Sequence, residues 1–356
     1  MQSFFVLAIL GLGFLVTFQI AKASEYVAVL RGEAKAQKQT NKVNGFLLLA
    51  FLILGLIGVF YCNERLKGKI LGVSASEQGV HIDTMMWITL AITGVVFLIT
   101  QIALFWFAYK YQASDDRKAY FYPHNNKLEV IWTVIPAIAL SVLVTFGLIY
   151  WFKVTGDAPK DAMIVEVTGK QFGWEFRYPG KDGILGKKFY KKIDAAKNNP
   201  LGQLWEDPNN HDDIWMEQEM HLVVNKPVKF VIGSKDVIHD VGLIHFRMKM
   251  DAVPGTPTTM WFTPRFTTKE MMKRENNPKF VYEITCDQMC GRGHTTMRGV
   301  IVVETQEEFD RWLYSHKPQY YVANPDKDPT LKLTADTTHN GNAGIVPVSG
   351  LTKTKK

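Results

Sequence analysis

Apolar residues follow two patterns along the chain, and the first is a set of long unbroken runs. Each run is about as long as a helix that crosses a membrane, and none contains a charged residue; the runs cover 4–20, 45–62, 86–109 and 130–152. Aromatic residues stand near the run ends, as in the interfacial belts of membrane proteins: Trp87, Tyr109, Tyr150 and Trp151. We therefore predict a transmembrane region of four helices over 1–152.

The first run could also belong to a cleaved signal peptide. Ala21 and Ala23 stand where a signal peptidase expects small residues. The start "MQSFF" carries no positive charge, however, whereas signal peptides begin with a basic region. We therefore expect residues 1–23 to be kept as a membrane span.

The charges of the connecting loops predict how the helices are oriented. Five Lys or Arg residues lie in 21–44 and four in 110–128, against three in 63–85. Because loops rich in Lys and Arg stay on the cytoplasmic side, everything after residue 153 is expected outside. In a bacterium this predicts a multi-pass protein of the inner membrane with a periplasmic domain.

The second pattern begins after residue 153 and consists of short alternating runs bounded by Gly, Pro, Asn and Asp. Such runs are typical of β-strands; they cover 162–180, 220–234, 258–268, 279–286 and 297–305. We predict a small antiparallel sandwich or barrel over 153–316.

Three further segments complete the domain map. The polar stretch at about 180–215 is long for a hairpin connection, so we predict an insertion that forms an excursion or docking surface. The segment "TQEEFDRWLYS" (305–315) predicts a short helix with Thr305 as its N-cap and Glu308 at the third helical position. The tail 317–356 is rich in Thr, Asn, Gly and Lys and is predicted to be extended or disordered.

The net charge and the hydrophobic content of the chain limit the kinds of partner that it is expected to bind. The net charge is +7, and 47% of the residues are hydrophobic. A basic balance favours nucleic acid or a membrane surface as a partner. Because the apolar residues are gathered into long runs, we expect lipid and no nucleic acid. No "CxxCH" motif occurs, so the chain is predicted to carry no c-type haem.

Two of the three cysteines lie in "ITCDQMCGRGHTTMRG", together with His294 and Met297. A disulfide between Cys286 and Cys290 leaves the His and the Met without a role, and a nucleophile with His294 as its base leaves the second cysteine without one. Zinc takes two Cys and two His but has no use for a thioether. Thiolate, imidazole and thioether together suit copper in electron-transfer sites. The loop alone leaves zinc and copper both open.

Three separated blocks resemble subunit II of the haem–copper terminal oxidases, the cytochrome c oxidase family. "CDQMCGRGHTTM" is similar to the family's copper loop, "SKDVIHDVGLIHFRMKMDAVPG" (234–255) to its first-histidine strand, and "HNNKLEVIWTVIPAIAL" (124–140) to the start of its last membrane helix. The resemblance covers about 86–315 and implies a membrane-anchored protein, here with four transmembrane helices followed by an all-β cupredoxin-like sandwich. Since the family core has two spans, the two additional ones are expected to pack against further membrane partners.

The resemblance also implies a dinuclear copper (CuA) centre. Its expected ligands are two bridging thiolates, one imidazole for each copper and two weak ligands: Cys286 and Cys290, His239 and His294, and Met297 with the backbone carbonyl of Gln288. His239 is preferred over the nearby His245 on the resemblance alone. Gln288 stands where the family often has a Glu that helps hold magnesium, and its neutral amide is a weaker magnesium ligand.

Other residues match family positions for electron entry and for a proton path. Phe172 stands where the entry Trp aligns, Trp174 is kept, and Asp236 resembles a carboxylate that helps dock cytochrome c. Glu129, with His124 five residues earlier, matches a Glu at the mouth of a proton path. An acidic residue at a helix N-terminus is also favoured by the helix dipole alone.

Together these features predict the electron-entry subunit of a proton-pumping oxygen reductase. The chain is expected to pass single electrons from a c-type cytochrome to a haem in the catalytic subunit I, beside other oxidase subunits. Oxygen chemistry is expected there, with no catalytic residue in this chain. The alternatives are the copper subunit of a nitric oxide reductase or of a copper-retaining quinol oxidase, and a non-redox zinc- or copper-binding scaffold.

Overall fold

Four long helices form the first part of the computed structural model, which describes residues 2–67, 72–114 and 117–329. Their bounds are Gln2–Arg31 (α1), Glu33–Leu66 (α2), Glu77–Lys110 (α3) and Asn126–Thr155 (α4). All four are long and apolar enough to cross a membrane, as predicted. At about 1.5 Å per residue, α2 and α3 exceed a hydrocarbon core of about 30 Å, because polar residues continue each helix beyond its apolar run.

Contacts divide the chain into two units. A helical unit comprises 1–71 and 84–146, and a second unit comprises 72–83 and 147–356. The second unit contains all β-strands of the described residues, the start of α3 and the end of α4. Ala75 explains why the segment before α3 belongs to it: this residue is fully buried, and its backbone N–H donates to the carbonyl of His245 at 2.8 Å.

Ten strands form two five-stranded sheets, which is the predicted sandwich. The first sheet has the order β3-β2-β1-β5-β8, and the second has the order β4-β10-β9-β6-β7. The strand bounds in chain order are Met163–Lys170 (β1), Gly173–Tyr178 (β2), Ile214–Glu217 (β3), Glu219–Val223 (β4), Val228–Ser234 (β5), His239–Leu243 (β6), Met248–Ala252 (β7), Thr258–Phe262 (β8), Tyr282–Cys286 (β9) and Arg298–Glu304 (β10).

Strand pairing is mixed, so the prediction of a purely antiparallel domain is wrong. β1 pairs in parallel with β5, and β4 pairs in parallel with β10. Parallel neighbours need a long crossover connection. Here the chain provides it by passing into the opposite sheet before it returns beside the earlier strand.

Apolar side chains from both sheets form one buried core. Val165 and Val167 on β1 alternate with polar neighbours, and they pair in register with Phe230 and Ile232 on β5. All four are fully buried, and burying such a side chain contributes about 1.5–3 kcal/mol. β2 differs because every one of its residues is buried, which means that its outer face is covered as well.

The predicted insertion covers the outer face of β2. The Arg177 side chain links this strand to the insertion through hydrogen bonds. The side chain of Arg177 is almost fully buried; its Nε donates to Glu166 at 2.7 Å, and its Nη1 donates to Asp213 at 2.9 Å. Nη1 also donates to the carbonyl of Gly186 and to the side chain of Asn210. Because a buried guanidinium must be paired and hydrogen-bonded, this cluster fastens both ends of the insertion to the sheet.

Three short helices complete the second unit: Thr268–Arg274 (α5), Gln306–Ser315 (α6) and Gln319–Ala323 (α7). α6 confirms the predicted capping box, in which Thr305 and Glu308 each accept the other's backbone N–H. α5 begins with the same device, formed by Thr267 and Glu270. The sequence prediction missed α5 because its first residues continue an alternating run.

The start of the tail is folded, so the prediction of an extended or disordered tail is wrong for 319–323. Gln319 and Tyr320 are buried, and the Tyr320 ring stacks on His211 of the insertion with 3.8 Å between centroids. The polar composition of the whole tail concealed this aromatic anchor. Residues 330–356 lie outside the described residues.

Candidate metal centre

The two loop cysteines lie between the end of β9 and the start of β10. Cys286 is the last residue of β9, and its backbone N–H donates to the carbonyl of Met297 at 3.2 Å, which closes the loop. The sulfurs of Cys286 and Cys290 are 3.7 Å apart, far beyond a disulfide bond of about 2.05 Å. Both are free thiols in almost fully buried side chains.

One histidine approaches each sulfur. Nδ1 of His239, the first residue of β6, is 3.8 Å from Sγ of Cys286, and Nδ1 of His294 is 3.8 Å from Sγ of Cys290. The ligand atoms of His239, Cys286 and Cys290 all lie within 4.8 Å of one another, which suits a metal ion. The structure therefore brings a residue from β6 to the loop, as the sequence resemblance predicts.

Two weaker donors complete the group. The thioether sulfur of Met297 is 3.8 Å from Sγ of Cys290, and this methionine is fully buried. The backbone carbonyl of Gln288 lies 3.1 Å from Sγ of Cys286. Two thiols, two imidazoles, a thioether and a carbonyl make six donors, more than the four of a structural zinc site. This soft and borderline donor set fits copper.

Asp236 fixes the orientation of His239. Its Oδ1 lies 2.8 Å from Nε2 of His239, and its Oδ2 accepts the backbone N–H of Gln171 at 2.7 Å. Because a carboxylate only accepts, Nε2 carries the proton, and the lone pair of Nδ1 faces the sulfur. Burial works to raise the pKa of Asp236, but the hydrogen bonds from His239 and from backbone N–H groups hold this pKa below its usual value.

Two residues beside the site had no signal in the sequence. A Cβ on Gly169 would lie 2.8 Å from the His239 ring, so only glycine lets β1 pass this close. The side-chain amide of Gln171 donates to the carbonyl of Cys290 at 2.6 Å and holds the loop. Both lie on or just after β1, far from the cysteines in sequence, and no local motif marks them.

Burial opposes ionisation of Cys290, one of the two loop thiols. Burial first, and then the neighbouring Cys286, raise the pKa of Cys290 to about 11. Metal ligation requires thiolates. Two adjacent buried thiolates therefore need a bound cation, which is the behaviour expected of a metal centre.

The predicted electron-entry aromatics occupy different environments. Phe172 is 40% exposed and lies against the loop, where a Cβ on Gly293 would meet its ring at 2.4 Å. Trp174 is fully buried, with its ring edge-on to His239 and 6.1 Å between centroids. Trp174 is buried away from solvent, and its role in electron entry stays a prediction.

The side chains of the remaining predicted residues contribute no donor to the six described above. Gln288 exposes its side chain, while its carbonyl faces the sulfur. In the helical unit, Glu129 accepts the backbone N–H of Asn125 at 3.2 Å, and His124 is exposed. The ring of His245 packs against Phe280 and Tyr282 and takes no part in the metal cluster.

Two family models and several curated proteins are similar to this chain. The model of the cytochrome c oxidase subunit II transmembrane domain matches 72–149, and that of the periplasmic domain matches 163–305. The alternative cytochrome c oxidase subunit 2 of Bradyrhizobium diazoefficiens is 34% identical over 238 residues, which is 67% of this chain and 80% of that protein. The subunit 2 of Cereibacter sphaeroides is 24% identical over 247 residues, 67% of this chain and 77% of that protein.

Among solved structures, the periplasmic domain of subunit II of cytochrome oxidase from Bradyrhizobium japonicum is similar to part of this chain. The TM-score is 0.32 at 22% identity, over 46% of this chain and 99% of that chain. A likeness of this size carries no argument about function. α1, α2, α6 and α7 lie outside both family matches.

Proposed function

This chain belongs to the cytochrome c oxidase subunit II family, and on that basis we propose how its residues carry electrons. It is the electron-entry subunit of a terminal oxidase, one part of an oxidoreductase complex, and is membrane-anchored with a periplasmic domain. Our finer proposal is a dinuclear copper (CuA) centre in a bacterial inner-membrane oxidase. The six donors gathered around two free sulfurs are the observation that carries it.

In the proposed centre, Cys286 and Cys290 would supply thiolate ligands to two copper ions, and His239 and His294 would each supply one imidazole. This assignment is supported by the pairing of the histidines, because each Nδ1 lies beside a different sulfur. The remaining donors are weak ligands: Met297 and the backbone carbonyl of Gln288. We assign no magnesium to Gln288, since its amide is neutral and points to solvent.

Copper held by two thiolates supplies one-electron redox chemistry with little change of geometry. The protein holds the ligands in place and keeps water away. Asp236 sets the tautomer of His239, and Gln171 fixes the loop backbone. Burial of both sulfurs excludes water from them and tunes the reduction potential.

Electrons enter, in this proposal, from a c-type cytochrome near the exposed Phe172 and leave for a haem of catalytic subunit I. There oxygen is reduced to water with proton pumping. We also propose Glu129 and His124 as the entrance of a proton path on the cytoplasmic side. The contact of Glu129 with Asn125 at the start of α4 explains its position as a helix cap too, so a proton role needs its own test.

Metal analysis of the purified complex tests the copper proposal. Two copper ions per chain are expected, with an electron-spin resonance signal whose hyperfine structure shows one unpaired electron shared by two copper nuclei. One zinc ion, or a single exchangeable copper, would instead support the scaffold alternative. Oxygen uptake with reduced cytochrome c, compared with quinol oxidation and with nitric oxide reduction, separates the proposed function from the other two alternatives.

A further inference from the structure

Part of the insertion is a basic surface with exposed aromatic side chains. Residues 187–197, "KKFYKKIDAAK", contain five lysines and one aspartate; we name them the basic segment. All five lysines are exposed, as are Phe189 and Tyr190, whose rings pack edge to face with 5.1 Å between centroids. Exposed aromatics among cations are typical of a binding surface.

Hydrogen bonds hold the basic segment in one conformation. The N–H of Phe189 donates to the carbonyl of Gly202 at 2.8 Å. The carboxylate of Asp194 accepts the N–H groups of Ala196 and Lys197. Because the backbone is already ordered, a partner that binds here loses little conformational entropy from this side of the interface.

A groove separates the basic segment from the first sheet. Lys188 and Tyr190 line one side of it, Ser234 and Lys235 line the other, and its volume is about 560 Å³. Thr168 also lines the groove; it is buried, and its hydroxyl has no hydrogen-bond partner among the described residues. The Thr168 hydroxyl is therefore available to hydrogen-bond with a polar group of a partner that enters the groove.

The groove borders the metal centre. The backbone N–H of Lys235 donates to the carbonyl of Gly169 at 3.0 Å, and Gly169 is the residue that packs against the His239 ring. Lys235 also directly precedes Asp236, which bonds His239. A protein that covers the groove would therefore contact residues that pack directly against His239, a proposed copper ligand.

Not all lysines of this region are neutralised by the chain itself. Lys188 pairs with Glu166, and Lys235 pairs with Glu175. In the part of the chain that the structure describes, Lys187, Lys191 and Lys192 have no ion-pair partner. Their charges are therefore available to an acidic partner.

A lipid surface is a less suitable occupant, because of where α4 meets the first sheet. Trp261 on β8 donates its indole N–H to the carbonyl of Lys153, near the end of α4, at 2.8 Å. β1 connects this end of the sheet to Gly169, and six residues from Met163 span about 20 Å. The groove therefore lies at the opposite end of the sheet from Trp261 and Lys153.

We propose that the basic segment docks the electron donor, and that this donor presents an acidic face around its redox group. The inference rests on the proposed function and specifies its partner as a c-type cytochrome with a negatively charged docking face. Phe189 and Tyr190 supply the apolar centre of the interface. The lysines steer the encounter, an effect that raises association rates about 10- to 1000-fold and weakens with salt.

Reduction kinetics of the intact purified oxidase test this proposal. The second-order rate is measured with one c-type cytochrome of net negative charge and one of net positive charge, over a range of ionic strength. We expect faster reduction by the acidic cytochrome, with a rate that falls as salt rises. The variant Lys191→Glu/Lys192→Glu should lower this rate about tenfold or more at low salt, and Lys191→Gln/Lys192→Gln should give an intermediate loss.

A double variant of equal charge change is the control. Lys160 and Lys279 are exposed and precede β1 and β9, at the ends of those strands away from the metal loop. Lys160→Glu/Lys279→Glu should keep the rate within about twofold, since charges beyond a Debye length of about 8–10 Å are screened. Tetramethyl-p-phenylenediamine, which needs no docking site, should reduce all variants alike.

Two results would overturn the inference. If both double reversals slow the acidic cytochrome equally, or if the basic cytochrome is faster and more sensitive to salt, the basic segment is not the docking site, while the proposed function stands. If neither cytochrome nor the small reductant delivers an electron to the wild-type oxidase, the proposed function fails and the docking proposal fails with it.

Discussion

Two buried polar clusters in the β domain are built in opposite ways. Under the insertion, the guanidinium of Arg177 lies between the carboxylates of Glu166 and Asp213, so the chain supplies charges of both signs. In the loop, the sulfurs of Cys286 and Cys290 are surrounded by imidazole, thioether and carbonyl groups, all of which are metal ligands. The first cluster supplies its own counter-charges, whereas the second consists of groups that bind a cation.

This difference separates a structural polar cluster from a functional one. A buried ion pair can hold two segments together without any bound group, although its net gain in stability is small. Two adjacent buried thiols have no comparable structural use, and burial opposes the ionisation of Cys290. Disrupting the Arg177 cluster should therefore release the insertion, and disrupting the cysteine cluster should cost the bound metal.

Removing one sulfur should give the largest effect. Cys290→Ser is expected to abolish the shared-electron copper signal and to lower electron entry by well over the roughly 10- to 100-fold typical of residues that merely orient a ligand. Metal content and reduction by cytochrome are the measurements. The matched control is Cys62→Ser, because Cys62 is the exposed third cysteine. Full copper content in Cys290→Ser would rule out the proposed bridging role.

Removing the guanidinium should damage stability and spare the metal. Arg177→Leu leaves Asp213 buried without its counter-charge and leaves Glu166 with Lys188 alone, which costs about 3–5 kcal/mol. Hydrogen exchange should show faster opening of residues 180–215, while the copper content stays unchanged. Arg311 on α6 is exposed, and Arg311→Leu, as the control, should leave the exchange of the insertion unaltered.

The sequence predicted the metal loop well because its chemistry is local. Cys286, Cys290, His294 and Met297 lie within one loop, and hydrophobic runs of membrane length need no tertiary information. The residues that the sequence could not assign act across strands. Gly169 and Gln171 touch the site only because β1 passes beside β6, and a glycine in an alternating run carries no sign of such a neighbour.

The contacts of the insertion could not be predicted from local sequence. Its polar composition predicted an excursion or docking surface, and nothing in the local pattern marked Arg177, near the end of β2, as a buried residue. The pairing of Arg177 with Asp213 joins residues 36 positions apart, so local pattern could not reveal it. The tail anchor at Tyr320 was hidden in the same way, since its partner His211 belongs to the insertion.

A smaller effect is expected when the metal cluster loses a supporting group and keeps all its ligands. Asp236→Asn keeps the size of the side chain but removes the charge that orients His239. Such a change costs about 10- to 100-fold in metal affinity or activity. The loss of metal affinity is measured as the fraction of copper retained during dialysis against a chelator, followed by the optical spectrum. Asp157 is exposed, and Asp157→Asn should retain copper like the wild type; equal retention in both variants would remove the role assigned to Asp236.

The smallest predicted effect concerns the pH dependence of the Arg177 cluster. Burial, opposed by Arg177, raises the pKa of Asp213 to about 7. An acid whose pKa is raised by folding keeps its proton longer in the folded state, so its favourable contribution is present below the unfolded value and is lost as pH rises through about 7. Opening of the insertion should therefore become easier by about 1–2 kcal/mol between about pH 6 and pH 7.5.

Glu166 does not obscure this window. Burial works to raise its pKa, but Arg177 and Lys188 lower it below the usual value, so Glu166 stays ionised in both states and titrates only at more acidic pH. Asp213→Asn should flatten the pH dependence measured by hydrogen exchange of 180–215. The exposed Asp161 provides the control, and Asp161→Asn should keep the wild-type slope. If Asp213→Asn also keeps that slope, another group controls the pH response, and the insertion is fastened by a carboxylate that is ionised throughout.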